Sequence, residues 1–87
     1  MKLAQYVKFR QEKFGGVLFE TRSEKVFALN PTAAAVVQEI QAGTPESEIP
    51  ARLKASYADG DPEGAQIERD ATAFTRQLRE QGLVEED

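Results

Sequence analysis

The side chains that carry most enzymatic chemistry are missing from this chain of 87 residues, which has no histidine and no cysteine. A Ser-His-Asp or Cys-His arrangement therefore cannot be built. Nor can the usual zinc and copper sites, a disulfide or a reactive thiolate. What remains is 15 Asp and Glu against 11 Lys and Arg. The acids fall at polar helix and tail positions, which reads as solvated surface rather than as a pair doing acid–base work. Asp59-Gly60-Asp61 resembles the start of a calcium loop, but no glutamate follows at the loop's twelfth position, so no metal is expected. Gly15-Gly16 lacks the further spaced glycine and lysine of a phosphate-binding loop. No catalytic constellation and no cofactor site emerge, and the chain reads as a non-enzyme.

The one basic cluster is Arg69, Arg76 and Arg79, on a single predicted helix. With three helices and several strands, a winged-helix DNA-binding or regulatory module is the alternative reading. The net charge of −4 argues against it, as do Glu46 and Glu48 in the middle helical region. The arginines then form a solvated flank paired with Glu80 and its neighbours. No nucleic acid is expected as a partner.

Backbone chemistry is what is left, and it points to Lys25–Leu29. Val26 and Ala28 share one face of this predicted strand, and Phe27 and Leu29 the other. Both faces are apolar, which is unusual for a strand with one solvated side. Short connections favour an antiparallel meander with this third strand at its edge. Such an edge offers unpaired N–H and C=O groups to an extended peptide. The competing reading buries Phe27 and Leu29 under the domain's own helices. A strand-paired homodimer using the same edge is a third reading.

The elements that position this strand follow in order. Tyr6–Phe14 alternates as a first strand, with Val7 and Phe9 on one face, and Gly15-Gly16 reads as the turn. Val17–Thr21 is the second strand, and Arg22-Ser23-Glu24 a tight connection. Asn30 caps the first helix, Pro31 suits its first position, and Ala33, Val36, Val37 and Ile40 form its stripe up to Gly43. The second helix starts at Thr44-Pro45 or at Ser47. Pro50 favours the later start, and Ile49, Leu53 and Tyr57 give one buried face. Ala58–Pro62 is a turn. The last helix runs from Pro62 or Glu63 to Gln81, with Ile67, Ala71, Phe74 and Leu78 on one side. Gly82 stops it, Leu83-Val84 returns to the core, and Glu85-Glu86-Asp87 is expected to fray.

Segregated strands and helices predict an α+β fold, a three-stranded antiparallel sheet followed by three helices. The length allows a single domain over 1–87, which buries roughly 60–65% of its unfolded surface. No apolar run approaches a membrane span, and the N-terminus has no signal-peptide core. No membrane partner is expected, and the cytoplasm is the simplest location.

The run KVFALNPTAAAVVQEIQAG, with Leu29-Asn30, Ala33 or Ala34, Ile40 and Gly43, resembles the strand–helix segment of the PqqD-like family. SEIPARLKASY is similar to its second helix. Asp70–Phe74, Leu78 and Gly82-Leu83-Val84 are similar to its last helix and ending. The resemblance implies a winged helix-turn-helix-like domain that acts as a peptide chaperone. It would bind the leader of a ribosomally made precursor peptide by strand addition. It would then present the leader to a modifying enzyme, commonly a radical S-adenosylmethionine enzyme. Carried over, the groove would be Lys25, Val26, Phe27, Ala28 and Leu29 on the strand, with Arg69, Ala73, Arg76 and Gln77 on the last helix.

Overall fold

A computed structural model describes residues 1–86. Its strands and helices are β1 (Lys2–Leu3), β2 (Val7–Glu12), β3 (Gly15–Glu20), β4 (Lys25–Leu29), α1 (Pro31–Gln41), α2 (Ile49–Lys54), α3 (Pro62–Glu80) and β5 (Val84–Glu85), with a 3-10 turn at Glu46–Glu48 before α2. The main sheet is antiparallel in the order β2-β3-β4, followed by three helices, as the segregated pattern predicts. The register sets Phe9, Leu18 and Phe27 in one row across it. That row faces the helices, and Leu18 is fully buried with Val36, Val37, Ile49 and Leu78. Each large aliphatic side chain buried this completely stabilises the fold by roughly 1.5–3 kcal/mol.

The β2–β3 turn lies at Lys13-Phe14, one step before the glycine pair expected to make it. Gly15 and Gly16 instead belong to β3. Their lack of a side chain serves close approach rather than turning. A Cβ on Gly15 would collide with the Leu29 carbonyl oxygen, and one on Gly16 would sit 2.6 Å from the Phe9 ring. Gly15 also holds φ at 143°, where side chains are strained. The two glycines thus let β3 lie tight beneath β4 and the Phe9 ring.

At the other end of β3, Glu20 is buried on the core face although charged. Its carboxylate accepts from the Arg22 N–H at 2.7 Å, the Ser23 N–H at 3.2 Å and the Ser23 hydroxyl. The Ser23 hydroxyl chiefly, with the backbone donors of Arg22 and Ser23, holds this carboxyl below the usual range. Glu20 is in effect the organiser of the β3–β4 turn, in which Glu24 takes a left-handed φ of 61°.

Asn30 caps α1 as expected, its Oδ1 accepting from the Ala33 N–H at 2.8 Å, with Pro31 in the first turn. Gly43, at φ 87°, ends the helix. Its N–H donates to the Ile40 carbonyl, and that of Thr44 to the Glu39 carbonyl. This is a Schellman closure. Neither Thr44 nor Ser47 caps α2, which has no side-chain cap and is entered through the 3-10 turn. Pro50 falls in its first turn. Thr44 is used elsewhere: its hydroxyl and Arg52 Nε both donate to Glu39, each at 2.6 Å, which ties α2 to the end of α1. Tyr57 lies beyond α2, half-buried against Gly64, where an added Cβ would be 3.0 Å from the Tyr57 Cβ.

Asp61 caps α3 by accepting from the Glu63 N–H at 2.9 Å. The helix closes at Gly82, φ 71°, with the Leu83 N–H donating to the Leu78 carbonyl at 2.9 Å. The chain then turns back into the core at Leu83, and Glu85, the first residue of the expected frayed tail, lies in β5. β5 pairs antiparallel with β1, Leu3 opposite Val84 and Lys2 opposite Glu85. Arg79 bonds both Glu46 and Glu86 rather than Glu80, and these two carboxylates raise its already high pKa. The last residue of the expected frayed tail, Asp87, lies outside the described residues. No described helix is long and apolar enough to cross a membrane.

Candidate functional site

β4 has one sheet neighbour, β3, so its other edge is open among the described residues. Which backbone groups point there follows from the ladder. Thr21 lies opposite Tyr6 in the β2–β3 register, and its N–H donates to the Tyr6 carbonyl at 2.8 Å. Antiparallel strands alternate the direction of their N–H and C=O groups residue by residue. Phe19 and Val17 therefore bond β2, while Gly16, Leu18 and Glu20 bond Leu29, Phe27 and Lys25. Val26 and Ala28 are left with their N–H and C=O groups at the open edge.

Beside this edge runs a groove between the sheet and α3, made of two adjoining cavities of about 220 Å3 each. The first is apolar. Phe27 and Leu29 form its strand wall, Phe74 and Leu78 its helix wall, and Leu18 and Leu83 its floor. The second lies towards the start of α1, between Asn30 and Ala33 on one side and Asp70 and Ala73 on the other. Phe74 and Gln77 line both and so form the step between them. The α3 side is a helical face, because residues 70, 73, 74 and 77 are three or four apart. Gly82 sets the far end: the tight closure there brings Leu83 under the groove, and the Tyr6 hydroxyl donates to the Gly82 carbonyl at 2.7 Å.

The structure brings some of the expected residues together and separates others. Phe27, Leu29, Ala73 and Gln77 line the groove. Val26 and Ala28 are exposed, with side chains on the opposite sheet face, so they can contribute backbone groups only. Lys25 stands at the start of the strand, exposed and opposite Glu20. Arg69 and Arg76 line neither cavity; they lie on the solvent shoulder of α3, and Arg69 donates to Gln66 at 2.9 Å. Phe74, Leu78 and Leu83 are lining residues that sequence patterning assigns to the core. Phe74 is in fact half-buried, and only that partial exposure marks it as a groove wall.

Chemically, the groove has the character of a binding surface rather than of a catalytic one. Among the described residues no group of three or more His, Cys, Asp or Glu is gathered to hold a metal ion. No ionisable side chain lines the apolar cavity. Each cavity is below the roughly 300 Å3 at which small-molecule sites begin. A row of free backbone groups beside holes of side-chain size suits an extended chain that alternates its side chains.

Solved structures share this fold. TbiB1 in complex with the TbiA(beta) leader peptide has the same fold, at a TM-score of 0.80 and 23% identity over 100% of this chain and 98% of that one. Lasso peptide synthetase B1 complexed with the leader peptide superposes at a TM-score of 0.74 and 29% identity, over 94% of this chain and 93% of that one. No curated protein matches the sequence. The family model for coenzyme PQQ synthesis protein D matches residues 15–84, and the chain belongs to this PqqD family.

Proposed function

We propose that this chain is a non-catalytic recognition element that binds the leader of a ribosomally made precursor peptide and presents it to a modifying enzyme. The leader adds as a strand to the open edge of β4 and lays alternate side chains into the groove against α3. The observation that carries this reading is the coincidence of a free edge at Val26 and Ala28 with the apolar cavity of Phe27, Leu29 and Phe74. Membership of the PqqD family and the leader peptide held by lasso peptide synthetase B1 support it. The binding residues are Lys25–Leu29 with Ala73 and Gln77, and Arg69 and Arg76 act at the rim as charges steering the peptide's flanks. The enzyme served is a radical S-adenosylmethionine enzyme, the unit spans 1–87, and the work is done in the cytoplasm.

Amide shifts measure this directly. Titration with the leader of a precursor peptide from the same genome shifts the amides of 25–29 and of the α3 groove face. If the leader binds but shifts neither, strand addition at β4 is wrong. A homodimer paired through β4 would close the same edge. Sedimentation over a concentration series separates the two, because leader addition then shifts a dimer towards the one-to-one complex.

A further inference from the structure

The three helices cover one face of the main sheet, the face of Val7, Phe9, Leu18, Phe27 and Leu29. The other face carries Lys8, Arg10 and Glu12 on β2, Val17 and Phe19 on β3, and Val26 and Ala28 on β4, with Arg10 Nε donating to the Glu12 carboxylate at 2.5 Å. No described element packs over it. Val26 is 61% exposed, and Phe14 in the adjoining turn 54%, the two large apolar side chains most open to solvent. The Arg10 guanidinium lies 5.3 Å from the Phe19 ring centroid, so an aromatic and an arginine stand together at the middle of the face. Lys8 flanks them on the same strand, with no ion pair among the described residues.

Charge is divided along the chain in the same sense. Residues 1–30 contain six Lys and Arg against three Glu, whereas residues 31–87 contain five against twelve Asp and Glu. The first third of the chain, which holds the main sheet, is thus the cationic part of an acidic protein. An apolar centre with an aromatic and an arginine, edged by the unpaired Lys8 and by an Arg10 shared with Glu12, has the composition of a protein-binding hot spot with a net positive edge. Its complement is an apolar patch rimmed by carboxylates. Nucleic acid fits poorly, since the apolar centre offers phosphates nothing and the helical part repels them.

Resting on the peptide-presenting role above, we infer that this outer sheet face docks an acidic, apolar-centred surface of the protein that modifies or processes the bound peptide. The groove and this face do not compete. β2, which holds the two cations, is two strand spacings, about 10 Å, from the open edge of β4. One molecule can therefore hold the leader at the β4 edge and in the groove, and the enzyme over the β2 side of the outer face.

The test is a Lys8→Glu/Arg10→Glu double variant and, separately, Val26→Glu, each titrated against a radical S-adenosylmethionine peptide-modifying enzyme from the same genome. Leader binding, read by fluorescence anisotropy, runs in parallel. The expected result is enzyme affinity about tenfold or more weaker for both variants, with a flatter salt dependence for the double variant. The double variant binds leader as the wild type does. Unchanged enzyme affinity in both variants overturns the proposal, as does a wild-type chain that never binds the enzyme. So does self-association of the wild-type chain that the double variant abolishes, or binding to anionic vesicles or duplex DNA lost in the same way. Failure of the wild-type chain to bind leader sinks the groove reading instead, and the enzyme titration reads the outer face independently of it.

Discussion

Val26→Pro separates backbone pairing from side-chain contact at β4. The Val26 N–H points to the open edge, so proline there removes no bond to β3, and edge strands tolerate proline where the lost N–H faces solvent. Its side chain is exposed, so little packing is lost within the fold. For a leader strand the same change is severe. One hydrogen bond is lost, worth about 0.5–1.5 kcal/mol net, and a peptide carbonyl is left facing the proline ring unsatisfied, at about 1–3 kcal/mol. The sum overlaps in part, and about 1–3 kcal/mol of weaker binding, or about 5- to 150-fold in Kd, is expected. Fluorescence anisotropy of labelled leader measures this, with circular dichroism melts showing that the variant folds. Val26→Ala is the side-chain control and keeps leader affinity within about twofold. Phe27→Pro is the opposite control: its N–H bonds β3, and its loss unfolds the sheet. A folded Val26→Pro protein with wild-type leader affinity would refute strand addition at β4, and equal losses in Val26→Pro and Val26→Ala would refute the backbone argument.

Gly15→Ala puts a Cβ onto the Leu29 carbonyl at a φ of 143° and destabilises the fold by at least about 2 kcal/mol in urea unfolding. Asn30→Ala removes the α1 cap and costs about 1 kcal/mol, lowering Tm by about 4–8 °C. Glu20 has a folded-state pKa below its unfolded one, so its contribution to stability is complete above the unfolded value and is lost as pH falls through the folded one. Glu20→Gln therefore flattens the acid side of a Tm-versus-pH profile and leaves the slope near neutrality unchanged. A variant whose acid limb matches the wild type would show that Glu20 is not held by the turn donors.

Much of the frame around the site can be read from residue order. β4 has its expected bounds because its apolar run is closed by Glu24 on one side and Asn30-Pro31 on the other. The stops at Gly43 and Gly82 rest on a local rule, and both glycines hold left-handed φ. The differences from the sequence reading have physical causes. A Gly-Gly pair suits a turn, but the same pair also permits close packing, and only the tertiary fold decides between them. β1 and β5 are two residues each, too short for any period, and exist because a distant partner is brought alongside. Phe74 and Leu78 obey a core spacing because a groove wall and a core wall share one helical face. Their division depends on how far α3 stands from β4. Arg69 and Arg76, picked out by charge, stand on the outer shoulder of α3, at the rim rather than in either cavity.

The pairing of β1 with β5 also bears on how this unit can be joined to other chains. Lys2 and Glu85 are opposite one another, so the two ends leave the fold side by side, about 5 Å apart across the ribbon. A unit of this geometry can be carried within a surface loop of a host protein without spreading the loop. It also means that any segment attached at either end emerges close to Leu83, at the far end of the groove. Tags or fused domains placed there share space with whatever leaves the groove in that direction. The Tyr6–Gly82 hydrogen bond pins that exit. A domain joined at either end would therefore stand beside any peptide leaving the groove in that direction.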